Sequence, residues 1–190
     1  GFVAMLLPSV LGRPSTYGDA EYWPIYEAAQ RLRMPLAVHG GPAGFPGMPA
    51  FNDFAKIHTL SHPLPLLVQV TDIVLSGVFD AFPNLRIAFL EAGCGWAPYW
   101  IDRMDHEYGT LNGLALRKRL RHRPSHYFRE TDNVWLSFEL EERTLRSVID
   151  AIGSERLLYA SDYGHESRLE NIVSEVAEFA ERADLSDDVK

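Results

Sequence analysis

Three short apolar runs, each ending on a polar residue beside small or turn-forming neighbours, constrain the fold of this chain more than any other feature. They occupy residues 35–39, 86–91 and 156–162. A strand buried on both faces of a parallel sheet is typically a continuous apolar stretch. In strand–helix barrels the catalytic groups lie at the carboxyl ends of such strands. The imidazole of His39 and the carboxylates of Glu91 and Asp162 are therefore candidates for a metal or acid–base site.

Predicted strands and helices alternate along the whole chain, which favours a parallel α/β arrangement. Apolar runs predict five strands, at about 2–7, 35–39, 86–91, 134–140 and 156–162. Helical periodicity predicts helices at about 19–33, 52–82, 96–108, 141–152 and 168–182, the second broken at Pro63 and Pro65. Since the pattern contains no repeat or linker, residues 1–190 are predicted to form a single domain.

Five strands with intervening helices fit two architectures. They are a little over half of a (β/α)8 barrel, which needs about 250 residues. They also fit a complete five-stranded doubly wound sheet. The sequence has no G-x-G-x-x-G and no G-x-x-x-x-G-K pattern, which disfavours a nucleotide-binding sheet. The residues alone leave both architectures open.

Composition limits the partners of the protein. Its net charge of −8 argues against a nucleic acid or an anionic membrane as partner, and no apolar stretch approaches the roughly 20 residues of a membrane span. The single cysteine fits a reducing, cytoplasmic environment. The chain does not begin with Met, and it ends on what resembles a helix start, so we expect a piece of a longer protein.

Each of the three strand-end residues has a structural alternative to a functional role. His39 is either a metal ligand or a hydrogen-bonded histidine at a strand end. Asp162 binds metal, orients a water or caps the following turn. Glu91 ends an apolar run, and a buried carboxylate needs a partner such as a metal, a substrate or an arginine.

Other reactive side chains have weaker support. His58 and His62 have helical i, i+4 spacing, but Pro63 follows them, so a structural role is favoured for the pair. His58 nevertheless lies downstream of a Gly- and Pro-rich loop at 40–49 that suits a substrate-covering role, and it is a candidate substrate contact. Cys94 lies between two glycines without a G-x-S-x-G pattern, and we interpret it as a packed small residue rather than a nucleophile.

Five stretches of the chain resemble, in order, the amidohydrolase-related superfamily, and specifically its aminocarboxymuconate-semialdehyde decarboxylase branch. They are WPIYEAA at 23–29, MPLAVHGG at 34–41, SGVFDAFPNLR at 76–86, EAGCGWAPYWIDRMD at 91–105 and YASDYGH at 159–165. The resemblance implies a (β/α)8 barrel with a divalent metal, commonly zinc, at the carboxyl ends of its strands. The ligands of that metal are an H-x-H pair on strand one, a histidine on strand five and an aspartate on strand eight.

By this resemblance, His39 and Asp162 correspond to the metal ligands of strands five and eight. Glu91 stands where strand six usually has a catalytic histidine, which is a departure from the family. His165 resembles the histidine that often closes the strand-eight motif, and it is a candidate substrate contact. The chain contains no H-x-H, so it resembles strands four to eight only.

The sequence thus predicts an α/β chain that is the carboxyl-terminal portion of a metal-dependent TIM barrel. Its expected function is that of a hydrolase or decarboxylase acting on a small carboxylated or cyclic molecule. Glu91 is expected to move a proton, and Asp162 to orient a metal-activated water. The alternatives are an inactive barrel fragment, whose exposed edge strands would favour pairing with another chain, and a small α/β ligand-binding domain.

Overall fold

The computed structural model describes residues 1–41, 50–111, 113–165 and 169–190, with residues 169 and 170 described by backbone alone. Most of the predicted substrate-covering loop at 40–49 therefore lies outside the described residues. The strands are β1 (Met5–Pro8), β2 (Leu36–His39), β3 (Ile87–Leu90), β4 (Val134–Phe138) and β5 (Leu157–Tyr159).

All neighbouring strands are parallel, and their order in the sheet is β1-β2-β3-β4-β5. A doubly wound sheet reverses its strand order at a switch point. Here each strand lies beside the next one in the chain, as in a strand–helix barrel. The strand order therefore favours the barrel over the doubly wound sheet.

Helices connect the strands. They are α1 (Trp23–Leu32), α2 (Phe54–Ser61), α3 (Pro63–Leu75), α4 (Val78–Ala81), α5 (Ala97–Gly109), α6 (Leu114–Arg119), α7 (Pro124–Arg129), α8 (Leu145–Ile152) and α9 (Leu169–Ala180). The predicted break near Pro63 is present, but Pro65 lies inside the first turn of α3. Proline is tolerated there because the first N–H groups of a helix have no intrahelical partner.

The core lies between the helices and one face of the sheet. Val38, Phe89 and Leu136 are paired neighbours on β2, β3 and β4, and each is at most 1% exposed. On the opposite face Leu6 is 64% exposed and Leu158 36% exposed. The helices thus cover one face of the described sheet and leave the other more open.

Predicted boundaries were wrong at several places, including the start of the first strand, the start of the fourth-strand helix, and the ends of β4 and β5, which stop at Phe138 and Tyr159. The first strand begins at Met5 rather than Phe2, because Met5 is the first residue that pairs with β2. Phe2 is 92% exposed. The helix predicted at 141–152 begins only at Leu145, since the preceding residues form a turn in which Glu142 bonds to main-chain N–H groups.

No helix among the described residues combines the length and the apolar character needed to cross a membrane.

Candidate active site

Glu91 is the centre of the candidate site. It follows β3 directly, and its backbone has the left-handed φ of 65°. Its main-chain N–H donates a 2.9 Å hydrogen bond to the hydroxyl of Ser137 on β4. Since Ser137 is 6% exposed, this bond joins two strand ends inside the structure. The backbone therefore turns sharply at Glu91 and is held there by the neighbouring strand.

His39, at the end of β2, contacts Glu91 directly. The Nδ1 atom of His39 lies 3.1 Å from Oε2 of Glu91, and it also contacts the carbonyl oxygen of Gly40. Two acceptors on Nδ1 favour the tautomer that is protonated on this nitrogen. Metal-ligating histidines commonly donate one ring N–H to a carboxylate and bind the metal through the other nitrogen. This tautomer leaves the lone pair of the His39 ring on Nε2.

His62 is a second imidazole beside Glu91, with Nε2 3.7 Å from Oε2. A Cβ on Gly40 would come within 2.9 Å of both the His62 ring and the main-chain oxygen of Glu91. The backbone after β2 therefore approaches His62 as closely as only glycine allows. The sequence prediction missed this contact, although the i, i+4 spacing of His58 and His62 was a signal for it.

Asp162 and His165, in the segment that follows β5, also lie near Glu91. Their side chains are 3.5 Å apart between Oδ2 and Nδ1, and the His165 N–H donates to the Asp162 carbonyl at 3.2 Å. Donor atoms of Glu91, Asp162 and His165 all lie within 4.8 Å of one another. Asp162 is not the last residue of β5, which ends at Tyr159, and its φ is 49°.

The structure thus brings His39, Glu91 and Asp162 to the carboxyl-terminal end of the sheet, with Glu91 between the other two. His39 contacts Glu91 on one side, and Asp162 with His165 approaches it on the other. The catalytic roles of Glu91 and Asp162, the metal-binding roles of His39 and Asp162, and the substrate contact of His165 stay predictions.

His58 lies one helical turn before His62 on α2. Its ring stacks on Phe54 at a centroid distance of 5.1 Å and meets the edge of the His62 ring at 4.7 Å. It therefore packs against a residue that itself contacts the site. Its predicted role as a substrate contact stays a prediction.

Cys94 is packed in the core, in agreement with its interpretation from the sequence, and it is 0% exposed. Its N–H and that of Gly95 donate to the carboxylate of Glu142 at 2.9 and 3.0 Å. Burial, followed by the nearby Glu142 charge, raises the pKa of the Cys94 thiol well above its usual range. A thiol with a raised pKa is a poor nucleophile at neutral pH.

A divalent metal suits the donor chemistry at this end of the sheet. Carboxylate oxygens suit Mn²⁺ and Mg²⁺, and imidazole nitrogens suit Zn²⁺. Glu91, Asp162 and His165 offer two carboxylates and one imidazole within 4.8 Å, and His39 adds a second imidazole beside Glu91. The residues therefore fit a divalent ion, and the mixed donor set does not select zinc over manganese.

Curated relatives of the chain are decarboxylases. A gamma-resorcylate decarboxylase from a Polaromonas species is 26% identical over 183 residues, which are 92% of this chain and 52% of that protein. A 2-amino-3-carboxymuconate-6-semialdehyde decarboxylase from Dictyostelium discoideum is 22% identical over 147 residues, which are 76% of this chain and 39% of that protein. The chain thus spans about half the length of the first of these relatives and less than half of the second.

Solved structures share the fold. A 5-carboxyvanillate decarboxylase from Sphingomonas paucimobilis superposes with a TM-score of 0.78 at 23% identity, covering 98% of this chain and 54% of its own. A dihydroxybenzoic acid decarboxylase from Polaromonas, solved with manganese and the inhibitor 2-nitroresorcinol, gives a TM-score of 0.75 at 23% identity and covers 99% of this chain and 57% of its own. The predicted fold, part of a TIM barrel, is thereby confirmed.

A family model of the amidohydrolases, Amidohydro_2, matches residues 1–190. The decarboxylase relatives support the branch predicted from the sequence. This chain belongs to the amidohydrolase family, in the branch that contains these decarboxylases.

Proposed function

We propose that this chain supplies the carboxyl-terminal part of the active site of a metal-dependent decarboxylase whose substrate is a small aromatic carboxylate. The single observation that supports it most is the convergence of Glu91, His39, Asp162 and His165 at the carboxyl-terminal end of the sheet. The relatives named above are decarboxylases, which favours decarboxylation over hydrolysis. On this proposal residues 1–190 are one partial barrel domain, and a complete metal site needs ligands from elsewhere in the intact protein.

His39, through Nε2, and Asp162, through a carboxylate oxygen, would hold the metal. A bound divalent ion supplies Lewis acidity at a substrate oxygen and lowers the pKa of a coordinated water. Zinc is the metal predicted from the resemblance, and manganese fits the same donors. The two metals are compared in the experiment below.

Glu91 would move the proton in this reaction. Decarboxylation breaks the bond between the ring carbon and the carboxylate, releases CO₂ and places a proton on that carbon. Oε2 of Glu91 lies between two imidazoles, 3.1 Å from His39 and 3.7 Å from His62, so the carboxyl group is held in one place.

His165 would contact the substrate carboxylate, and Asp162 would orient a water beside the metal. His58, which packs against His62, is proposed as a further substrate contact. A cytoplasmic location and self-association through edge strands stay predictions from the sequence. The small-molecule substrate agrees with the relatives, whose names are those of enzymes acting on small carboxylates.

The experiment is CO₂ release by the full-length protein loaded with Zn²⁺ or Mn²⁺, with a panel of aromatic carboxylates that includes 2,6-dihydroxybenzoate. Glu91→Gln keeps the size of the side chain and removes its acid–base function, so turnover should fall by about 10²- to 10⁴-fold. Glu27→Gln, the same change at an exposed position of α1, serves as the matched control and should leave turnover unchanged.

Metal content measured on the same samples separates the roles of Glu91. Loss of turnover with full metal content supports proton transfer, whereas loss of both identifies Glu91 as a metal ligand. Unchanged turnover with unchanged metal content refutes the role of Glu91. A full-length protein that binds no metal and releases no CO₂ from any substrate would favour the inactive barrel instead.

A further inference from the structure

The hydroxyl of Ser137 continues the pairing of β3 with β4 beyond the last residues that pair through the main chain. The N–H of Ile87 donates to the carbonyl oxygen of Asn133 at 2.7 Å, and in a parallel ladder such bonds recur at every second residue. The regular acceptor for the Glu91 N–H would therefore be the main-chain oxygen of Ser137. This N–H donates instead to the Ser137 hydroxyl, at 2.9 Å. A side-chain bond thus anchors the residue at which β3 leaves the sheet.

The bond holds Glu91 in a backbone conformation that is unfavourable for it. The φ of 65° is left-handed, and in this region the Cβ of an L-residue lies too close to the following carbonyl oxygen. Such conformations persist where the surrounding contacts require them. The direction of a side chain follows its backbone, so this turn brings Oε2 of Glu91 to 3.1 Å from Nδ1 of His39. Losing the turn would move the carboxylate out of that position.

Ser137 is itself held firmly enough to act as an anchor. It is 6% exposed, and on its other side it lies opposite Leu158 of β5 in the parallel register. A main-chain donor that loses its acceptor in such an enclosed place is unfavourable. Ser137→Ala removes only the hydroxyl, so the strand is kept while the Glu91 N–H loses its acceptor.

Glu142 holds the same loop at a different point. Its carboxylate accepts the N–H groups of Cys94 and Gly95, which follow Glu91 in the loop between β3 and α5. These bonds keep the loop folded against the segment that follows β4. The Ser137 bond, by contrast, acts on the main chain of Glu91 itself. Of these two anchors, Ser137 therefore determines the orientation of Glu91 directly.

We propose that Ser137 is a positioning residue for proton transfer by Glu91. Its hydroxyl accepts the Glu91 N–H, keeps that backbone left-handed and thereby holds the carboxyl group where the ring carbon is protonated. This inference rests on the proposed function for the role of Glu91. Ser137 contacts neither substrate nor metal in this role, and it transfers no proton. Its loss therefore appears in kcat and leaves KM and metal content unchanged.

The test compares Ser137→Ala with Thr131→Val in the full-length, metal-loaded protein. Thr131 is the matched control because its hydroxyl also accepts a main-chain N–H, that of Asn133 at 3.3 Å, at the opposite end of β4. CO₂ release from the panel of aromatic carboxylates, metal content and melting temperature are measured for each variant. Ser137→Ala should lower kcat by about tenfold to a hundredfold, with KM within about twofold of the wild type and full metal content. Thr131→Val should lower the melting temperature and leave kcat unchanged.

Two further measurements show whether the effect passes through Glu91. In the Glu91→Gln background, Ser137→Ala should change kcat by less than about twofold, because the group that it positions is already gone. Hydrogen exchange is followed by mass spectrometry on peptides that span residues 87–95. The Glu91 amide should exchange faster in Ser137→Ala than in the wild type, and at the wild-type rate in Thr131→Val.

The proposal is overturned if Ser137→Ala keeps the wild-type kcat, if it loses the metal, if its effect persists in full beside Glu91→Gln, or if the Glu91 amide keeps its wild-type exchange rate. Each of these results, obtained with an active wild type, leaves the decarboxylase intact. A wild type that releases no CO₂ from any substrate refutes the proposed function instead. The exchange rate then still decides whether Ser137 holds the Glu91 backbone.

Discussion

The carboxylate of Glu142 fixes the loop between β3 and α5, and its removal tests how that loop is held. It accepts hydrogen bonds from the N–H groups of Cys94, Gly95 and Glu139 at 2.9, 3.0 and 3.1 Å. Glu139 is exposed, so water replaces that bond when the carboxylate is lost. Cys94 is 0% exposed, so its N–H would lose its partner inside the core.

The expected loss follows from these bonds. A hydrogen bond to a charged group contributes about 1.5–3 kcal/mol, and a buried donor left unpaired accounts for most of this cost. Glu142→Ala should therefore lower the free energy of unfolding by about 3 kcal/mol. For a chain of this size that corresponds to a fall in melting temperature of about 6–12 °C. Glu142→Gln keeps one acceptor oxygen and should lose about half as much.

Scanning calorimetry of the two variants checks this reasoning, with Glu141→Ala as control. Glu141 is the exposed neighbour of Glu142, and its replacement should change stability by less than about 0.5 kcal/mol. Equal melting temperatures for Glu142→Ala and Glu141→Ala would refute the argument, because the carboxylate would then contribute nothing to holding the loop.

Three further predictions concern the packing around the site. Gly40→Ala places a Cβ 2.9 Å from the main-chain oxygen of Glu91 and should cost about 1–3 kcal/mol by overpacking. Gly41→Ala, whose Cβ would meet no atom of the described residues within 4 Å, should be neutral. Equal melting temperatures for the two variants would contradict this. Cys94, with its raised pKa, should resist iodoacetamide in the native protein and take up one equivalent in denaturant, and rapid native labelling would contradict the burial. Gln69→Leu leaves two buried main-chain groups, the Tyr17 N–H and the Ser9 carbonyl, unpaired and should lower stability by about 2–3 kcal/mol in urea unfolding; an unchanged midpoint would contradict it.

The strands could be predicted because burial on both faces leaves a local signal. The runs at 35–39 and 86–91 contain β2 and β3 in full. The ends of strands were less predictable, because a strand extends only as far as its neighbour offers hydrogen bonds. Phe2 and Val3 have strand-forming side chains, yet pairing with β2 starts at Met5.

The positions of His39 and Glu91 at the ends of β2 and β3 could also be predicted, since a polar residue that ends a buried strand is visible in the sequence. Asp162 lies three residues beyond β5, so its strand-end position was wrong. The neighbours that hold the site in place could not be predicted. Glu142 bonds to Cys94 across 48 residues, and Gln69 bonds to Ser9 across 60. No spacing in the sequence reports contacts that only the folded chain creates. His62 had a local signal, but that signal did not say which side of α2 faces Glu91.

Glu91 and Asp162 share a left-handed backbone, with φ values of 65° and 49°. For a residue with a Cβ this conformation is unfavourable by about 1–2 kcal/mol, and glycine adopts it freely. Selection for heat resistance alone would therefore drive both positions toward glycine, whereas selection for catalysis would retain the acids. If the proposed chemistry is right, a library screened for thermostability and one screened for turnover should diverge at these two positions first.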